Sequence, residues 1–98
     1  MPHFAFIGRD GPRGAELRKQ HREAHLKGIE ALDREGRIRH AGPLLDDAGS
    51  PMGSVVVFEA ADLAAARALA AADPYVVEGI FGSWEVHETK IVFPAGDR

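Results

Sequence analysis

Residues Val55-Val56-Val57-Phe58 form a run in which every position is apolar. A strand with one solvated face alternates apolar and polar side chains, whereas a run apolar on both faces needs cover on both sides. The chain has 98 residues, enough for one domain and too few for two. In a chain this short, one layer of helices covers one face of a sheet. The natural cover for the other face is a second copy of the same sheet, so this run predicts a homodimer.

The segments around the run supply the rest of the fold. His3 to Gly8 reads as a strand, with Phe4 and Phe6 on one face and Ala5 and Ile7 on the other. Arg9-Asp10-Gly11-Pro12 reads as a turn. Good helix formers dominate from Gly14 to Glu35, and Leu17, His21, Ala24, His25, Gly28 and Leu32 share one stripe at helical spacing. Leu26 falls off that stripe. Gly36 suits a left-handed C-terminal cap. Arg37 to Leu44 reads as a second strand, Leu45 to Gly53 as a loop, and Ser54 to Glu59 as a third strand. Asp62 to Ala72 reads as a second helix, with Asp62 in its first turn and an end at Asp73-Pro74. Tyr75 to Gly79 reads as a short turn or helix, and Gly82 to Glu88 as a fourth strand. Ile91-Val92-Phe93 is a short extension suited to pairing at a sheet edge or across a dimer, and Asp97 and Arg98 are expected to fray. The order strand, helix, two strands, helix, strand is the ferredoxin-like split βαβ arrangement of the α+β class. Its antiparallel sheet carries both helices on one face, and two bare faces paired together make a dimeric α+β barrel.

Composition narrows the function. The net charge is −3, and the basic residues near Arg18–Arg22 and Arg34–Arg39 are interleaved with Glu and Asp, as on a solvated helix face. Nucleic acid is therefore not an expected partner. No cysteine is present, which excludes disulfides, thiolate metal sites and a cysteine nucleophile, and suits a reducing cytoplasm. Neither a signal peptide nor an apolar stretch of the roughly 20 residues that span a bilayer is visible. No dinucleotide fingerprint or phosphate loop occurs, so no cofactor is expected.

An ordered set of short motifs, Arg22-x-Ala24-His25-Leu26, Glu35-Gly36-Arg37, Ala41-Gly42-Pro43, Gly53-Ser54 and Asp73-Pro74-Tyr75-Val76, resembles the YciI-like (YCII-related domain) family across essentially the whole chain. The resemblance implies a ferredoxin-like dimeric barrel with a His–Asp pair in a pocket, mapping onto His25 and Asp73. It also implies a set of small enzymes mostly without assigned reactions, one branch of which is a dehydrochlorinase acting on a chlorinated hydroxyquinol. The wider barrel superfamily includes cofactor-free oxygenases, isomerases and lyases. Glu23 departs from the pattern where many members carry Pro, and Ala60 where a Ser would often cap the second helix.

Two readings compete at each candidate residue. A neutral imidazole at His25 suits general acid–base work, while a helix histidine on an apolar stripe is ordinarily a hydrogen-bonded core residue. Asp73 is either a turn residue or the carboxylate that fixes the His25 tautomer. His21, one turn before His25, can share a metal with it, yet the position after His21 is Arg22 and no third ligand is evident, so no metal is expected. Arg22 is either a surface cation or a partner for an anionic substrate. His40 and Ser54 can line the same pocket or be structural; Ser54 lacks the hydrolase nucleophile motif. Tyr75, with Phe81 and Trp84, can wall an aromatic ligand or simply fill the core. The expected function is a small cofactor-independent enzyme of lyase or isomerase type acting on a small polar or aromatic metabolite. The alternative is a non-catalytic module that binds a small molecule in the same pocket.

Overall fold

The computed structural model describes residues 1–95; Asp97 and Arg98 lie outside the described residues. Strand β1 (His3–Asp10) is central and is flanked on one side by β3 (Pro51–Glu59), itself bordered by β2 (Ile38–Leu45), and on the other by β4 (Phe81–Thr89). All three pairings are antiparallel, so the order β2-β3-β1-β4 is that of the split βαβ fold. Helix α1 (Gly14–Arg34) packs over β2 and β3, helix α2 (Leu63–Ala71) over β1 and β4, and a short α3 (Pro74–Val77) touches α1. Among the described residues no helix is long and apolar enough to cross a membrane.

Alternation along the central strands decides what is core. Phe4, Phe6, Val56 and Phe58 are buried beneath the helices with Ala66, Ala70, Tyr75 and Ile80. Phe4 pairs with Phe58 and Phe6 with Val56, whereas Ala5 faces Val57 and Ile7 faces Val55 across the helix-free side. The all-apolar run therefore divides between both faces of the sheet, as its composition demands.

Local chemistry sets the ends of the elements. Gly36 adopts φ 73°, and the Gly36 and Arg37 amides donate to the Asp33 and Leu32 carbonyls at 2.9 and 3.1 Å, closing α1 with a Schellman motif. Asp62 is the N-cap of α2 and accepts from the Ala65 amide at 2.8 Å, one position outside the helix and not in its first turn. It does the capping that Ala60, fully buried, has no side chain to do. The β2–β3 loop is shorter than its composition suggests. The Asp46 carboxylate accepts from the Ala48 and Ser50 amides, both at 2.9 Å, so pairing resumes at Pro51. Among the described residues of this single chain Ile91 to Phe93 pair with no strand; Lys90 alone separates them from β4, and a hairpin needs about two residues to reverse.

Two irregularities matter for the site. At the β1–β4 pairing Arg9 faces Ser83 but Asp10 faces Phe81, so Gly82 is an extra residue that turns Phe81 onto the helix face. There Phe81 meets Phe6 and Tyr75 edge-on at 5.9 and 5.6 Å between centroids. Its ring lies so close to β1 that a Cβ on Gly8 would sit 2.5 Å from two ring carbons. Gly8→Ala is thus expected to cost about 1–3 kcal/mol by overpacking, read as a lower urea midpoint at unchanged m-value. At the β2–β3 pairing Ile38 faces Phe58 but His40 faces Val57, so Arg39 is the extra residue and the side chains beyond it change sides.

Candidate active site

The end of α2 meets the middle of α1 at Asp73. The following Pro74 holds Asp73 in an extended backbone, φ −63° and ψ 131°. Its carboxylate then caps α3, accepting from the Tyr75 amide at 2.8 Å. The same carboxylate accepts from His25 Nδ1, at 2.9 Å to Oδ1 and 3.0 Å to Oδ2. A carboxylate only accepts, so Nδ1 carries the proton and Nε2 is the basic nitrogen of the neutral ring. Among the described residues Nε2 has no hydrogen-bond partner.

Tyr75 follows Asp73 by two residues and lies flat on the imidazole, with ring centroids 3.9 Å apart and planes 3° from parallel. His25 is 6% exposed and Tyr75 1%. Burial pushes the Tyr75 phenol above its ordinary range, against the opposing pull of Arg18 and Arg22. The phenol therefore stays protonated at neutral pH.

The other face of this cluster is built on Arg18, seven residues and about two helical turns before His25. Its guanidinium grips Asp10 in two bonds of 2.6 and 2.8 Å, donates to Ser54 Oγ at 3.3 Å, and lies 5.0 Å over the Tyr75 ring. The Asp10 hydrogen bonds raise the Arg18 pKa further, against the cost of burial. Gly14 lets the turn close over this pair, since a Cβ there would lie 2.5 Å from the Asp10 side chain.

These groups line a cavity of about 780 Å³ between α1 and the β2–β3 edge, walled by Arg18, Arg22, His25, Ser54, Tyr75, Leu26 and Pro43 among others. A smaller, apolar cavity of about 260 Å³ reaches His25 and Asp73 from the α2 side. The structure thus brings together His25, Asp73, Tyr75, Ser54 and Arg22. It does not bring in His40, which the extra residue Arg39 turns onto the helix-free face. His21 lines neither cavity. Among the described residues no three His, Cys, Asp or Glu side chains gather as a metal site. Leu26, off the expected stripe, is part of the cavity wall. Sequence reading passed over Arg18 and Asp10. The heptad spacing of Arg18 to His25 was a usable signal; nothing local marked Asp10, at the end of a strand expected to stop at Gly8.

The model of the YCII-related domain family matches residues 3–90. The chain belongs to this family. Protein YciI of Escherichia coli is 36% identical over 96 residues, an alignment spanning 92% of this chain and 98% of the relative, and the Shigella flexneri YciI matches equally. An uncharacterised Haemophilus influenzae protein is 34% identical, spanning 93% and 99% of the two chains. Among solved structures, the 5-chloro-2-hydroxyhydroquinone dehydrochlorinase of Burkholderia phenoliruptrix, in complex with 2,5-dihydroxybenzoquinone, superposes with a TM-score of 0.79. It is 26% identical, covering 90% of this chain and 93% of that one. The YCII-related chain shares its fold with that enzyme.

Proposed function

We propose that this chain is a small cofactor-independent enzyme that carries out general acid–base chemistry, elimination foremost, on a small hydroxylated aromatic or quinoid metabolite. One observation carries the reading. His25 is buried in a cavity wall with Nδ1 held by both oxygens of Asp73, and its basic Nε2 has no partner among the described residues. That is how a general base is oriented and how its protonated form is stabilised.

In an elimination, Nε2 takes the proton from a substrate C–H or O–H bond. The freed electron pair forms the new π bond, and the bond to the leaving group breaks, the group departing with its own pair. The imidazolium formed is stabilised by Asp73 and by the face of Tyr75. Proton transfer of this kind asks for no metal or redox group. The likeness to a dehydrochlorinase with a dihydroxybenzoquinone ligand supports the reaction class and the ligand class. The burial of His25 against Asp73 favours catalysis over simple binding. The test is a turnover screen, starting with 5-chloro-2-hydroxyhydroquinone, of the native chain beside His25→Gln and Asp73→Asn. Activity that survives both changes undiminished in folded protein sinks the proposal.

The working unit in this reading is a cytoplasmic homodimer. Ala5, Ile7, Val55 and Val57 line the helix-free face, and among the described residues His3 Nε2 is buried without a hydrogen-bond partner. A second sheet laid on this face would cover that strip. Sedimentation velocity at micromolar concentration is expected to show a dimer, and Val57→Glu to shift it to monomer. A native chain that sediments as a monomer throughout refutes this assembly.

A further inference from the structure

The charges around the large cavity are unbalanced. Its wall carries Arg18, Lys19 and Arg22 and no Asp or Glu, in a chain where 15 acidic residues outnumber 12 lysines and arginines. Asp10 meets the charge of Arg18. Elsewhere along α1 and at its N-cap, Lys27, Arg34 and Arg13 each pair with a glutamate three or four residues away. Lys19 has two glutamates at those same spacings, Glu16 and Glu23, but Glu16 pairs with Arg13 and Glu23 with Lys27. Among the described residues neither Lys19 nor Arg22 has an ion-pair partner. The unpaired cations of the helix are thus the two that border the cavity.

We infer that Lys19 and Arg22 form an anion seat at the mouth of the His25 cavity, and that the ligand is a compact organic anion. Residues three apart share a helix face, so the two cations converge on one group. Arg22 and His25 are also three apart and border the same cavity, so an anion held at Arg22 lies within one helical turn of the His25 ring. Leu26, Ile29, Val56 and Pro43 supply apolar wall for the carbon frame, which a bare inorganic ion would not use. A carboxylate and a phosphate ester share the charge that this seat recognises. The inference rests on the acid–base reading of His25, since it places the ligand's charge relative to the nitrogen that reacts.

The test is an NMR titration of the isotope-labelled chain with 4-hydroxybenzoate, 4-hydroxyphenyl phosphate and the neutral 4-hydroxybenzamide. At least one anion is expected to shift the signals of Arg22, His25 and Tyr75 and to bind about tenfold more tightly than the amide, as a charge-assisted contact implies. Whether the carboxylate or the phosphate ester binds identifies the group that the seat takes. Arg22→Gln and Lys19→Gln are each expected to weaken the anion roughly fivefold to tenfold and leave the amide unchanged. Added salt should weaken the anion alone. Arg34→Gln, whose residue pairs with Glu30 away from the cavity, should change nothing. Equal binding of anion and amide, indifference to Arg22→Gln and Lys19→Gln, or no binding by any of the three probes overturns the seat. The dyad is judged separately by turnover in Asp73→Asn. Anion binding that persists beside unchanged turnover in that variant would refute the dyad and spare the seat, whereas equal binding of anion and amide by the native chain beside lowered turnover in Asp73→Asn would refute the seat alone.

Discussion

His25→Gln is expected to lower turnover by about a hundredfold to ten-thousandfold, the range that a positioned general base contributes, with the fold retained. Glutamine keeps a polar group beside Asp73 but has no nitrogen that is basic near neutral pH. Asp73→Asn is expected to produce a loss of similar order. The amide still presents an oxygen to the Tyr75 backbone N–H, so the cap on α3 survives. It can also turn its NH2 towards Nδ1, which favours the ring tautomer with the proton on Nε2, and a protonated Nε2 is not a base. Asp73→Ala is the poorer test, because losing the cap costs about 1 kcal/mol as well. Measured kcat beside unchanged far- and near-UV circular dichroism separates loss of chemistry from loss of fold. Wild-type kcat in both variants would leave the His25–Asp73 contact a structural pair.

The largest stability effect is expected at Asp10. Side chains of Arg18 and Asp10 are 13% and 9% exposed and joined by two short bonds. Asp10→Ala leaves the guanidinium enclosed with Ser54 and the Tyr75 face for company. Removing one partner of a buried pair typically costs about 3–5 kcal/mol; the residual exposure of Arg18 places this case near the lower end. At about 4 °C or more per kcal/mol for a domain of this size, Tm should fall by on the order of 10 °C. Asp10→Asn keeps the shape and should cost less, and Asp10→Ala combined with Arg18→Met should recover part of the loss. A melting point within about 2 °C of wild type for Asp10→Ala would show that the pair adds nothing net.

Asp10 also shows where sequence reading runs out. It stands in Arg9-Asp10-Gly11-Pro12, whose composition signals a turn and nothing else. Its role arises because β1 runs two residues further and ends beneath α1. His40 fails for a related reason. Alternation from Ile38 places His40 on the helix side, but the single extra residue Arg39 reverses the phase, and a bulge leaves little trace in composition. The inward direction of His25 was legible because the helix period repeats over about four turns; Ala24 and Gly28 of the expected stripe are exposed, and the cavity edge at Leu26 and Arg22 was not legible, because periodicity gives a direction and not the shape of the neighbour.

The sequence by itself determined the order of the elements, the Gly36 cap, the division of β1 into two faces and the need of β3 for cover on both; the pairing of His25 with Asp73 was implied by the resemblance to an ordered set of family motifs. The elements, the cap and the strand faces rest on local propensity and short-period patterns, which neighbouring residues specify among themselves. Only the tertiary structure decided that both Asp73 oxygens meet Nδ1, that Tyr75 stacks on the ring, that Arg18 ties Asp10 to Ser54, and that His40 lies on the other face. Those contacts join residues as far as 57 positions apart, as between Arg18 and Tyr75. Their geometry is set by how α1 lies on the sheet and by the extra residues Gly82 and Arg39 in its ladders. The apolar run from Val55 to Phe58 spans both levels: its composition demands cover on both faces, and the fold supplies helices to one of them.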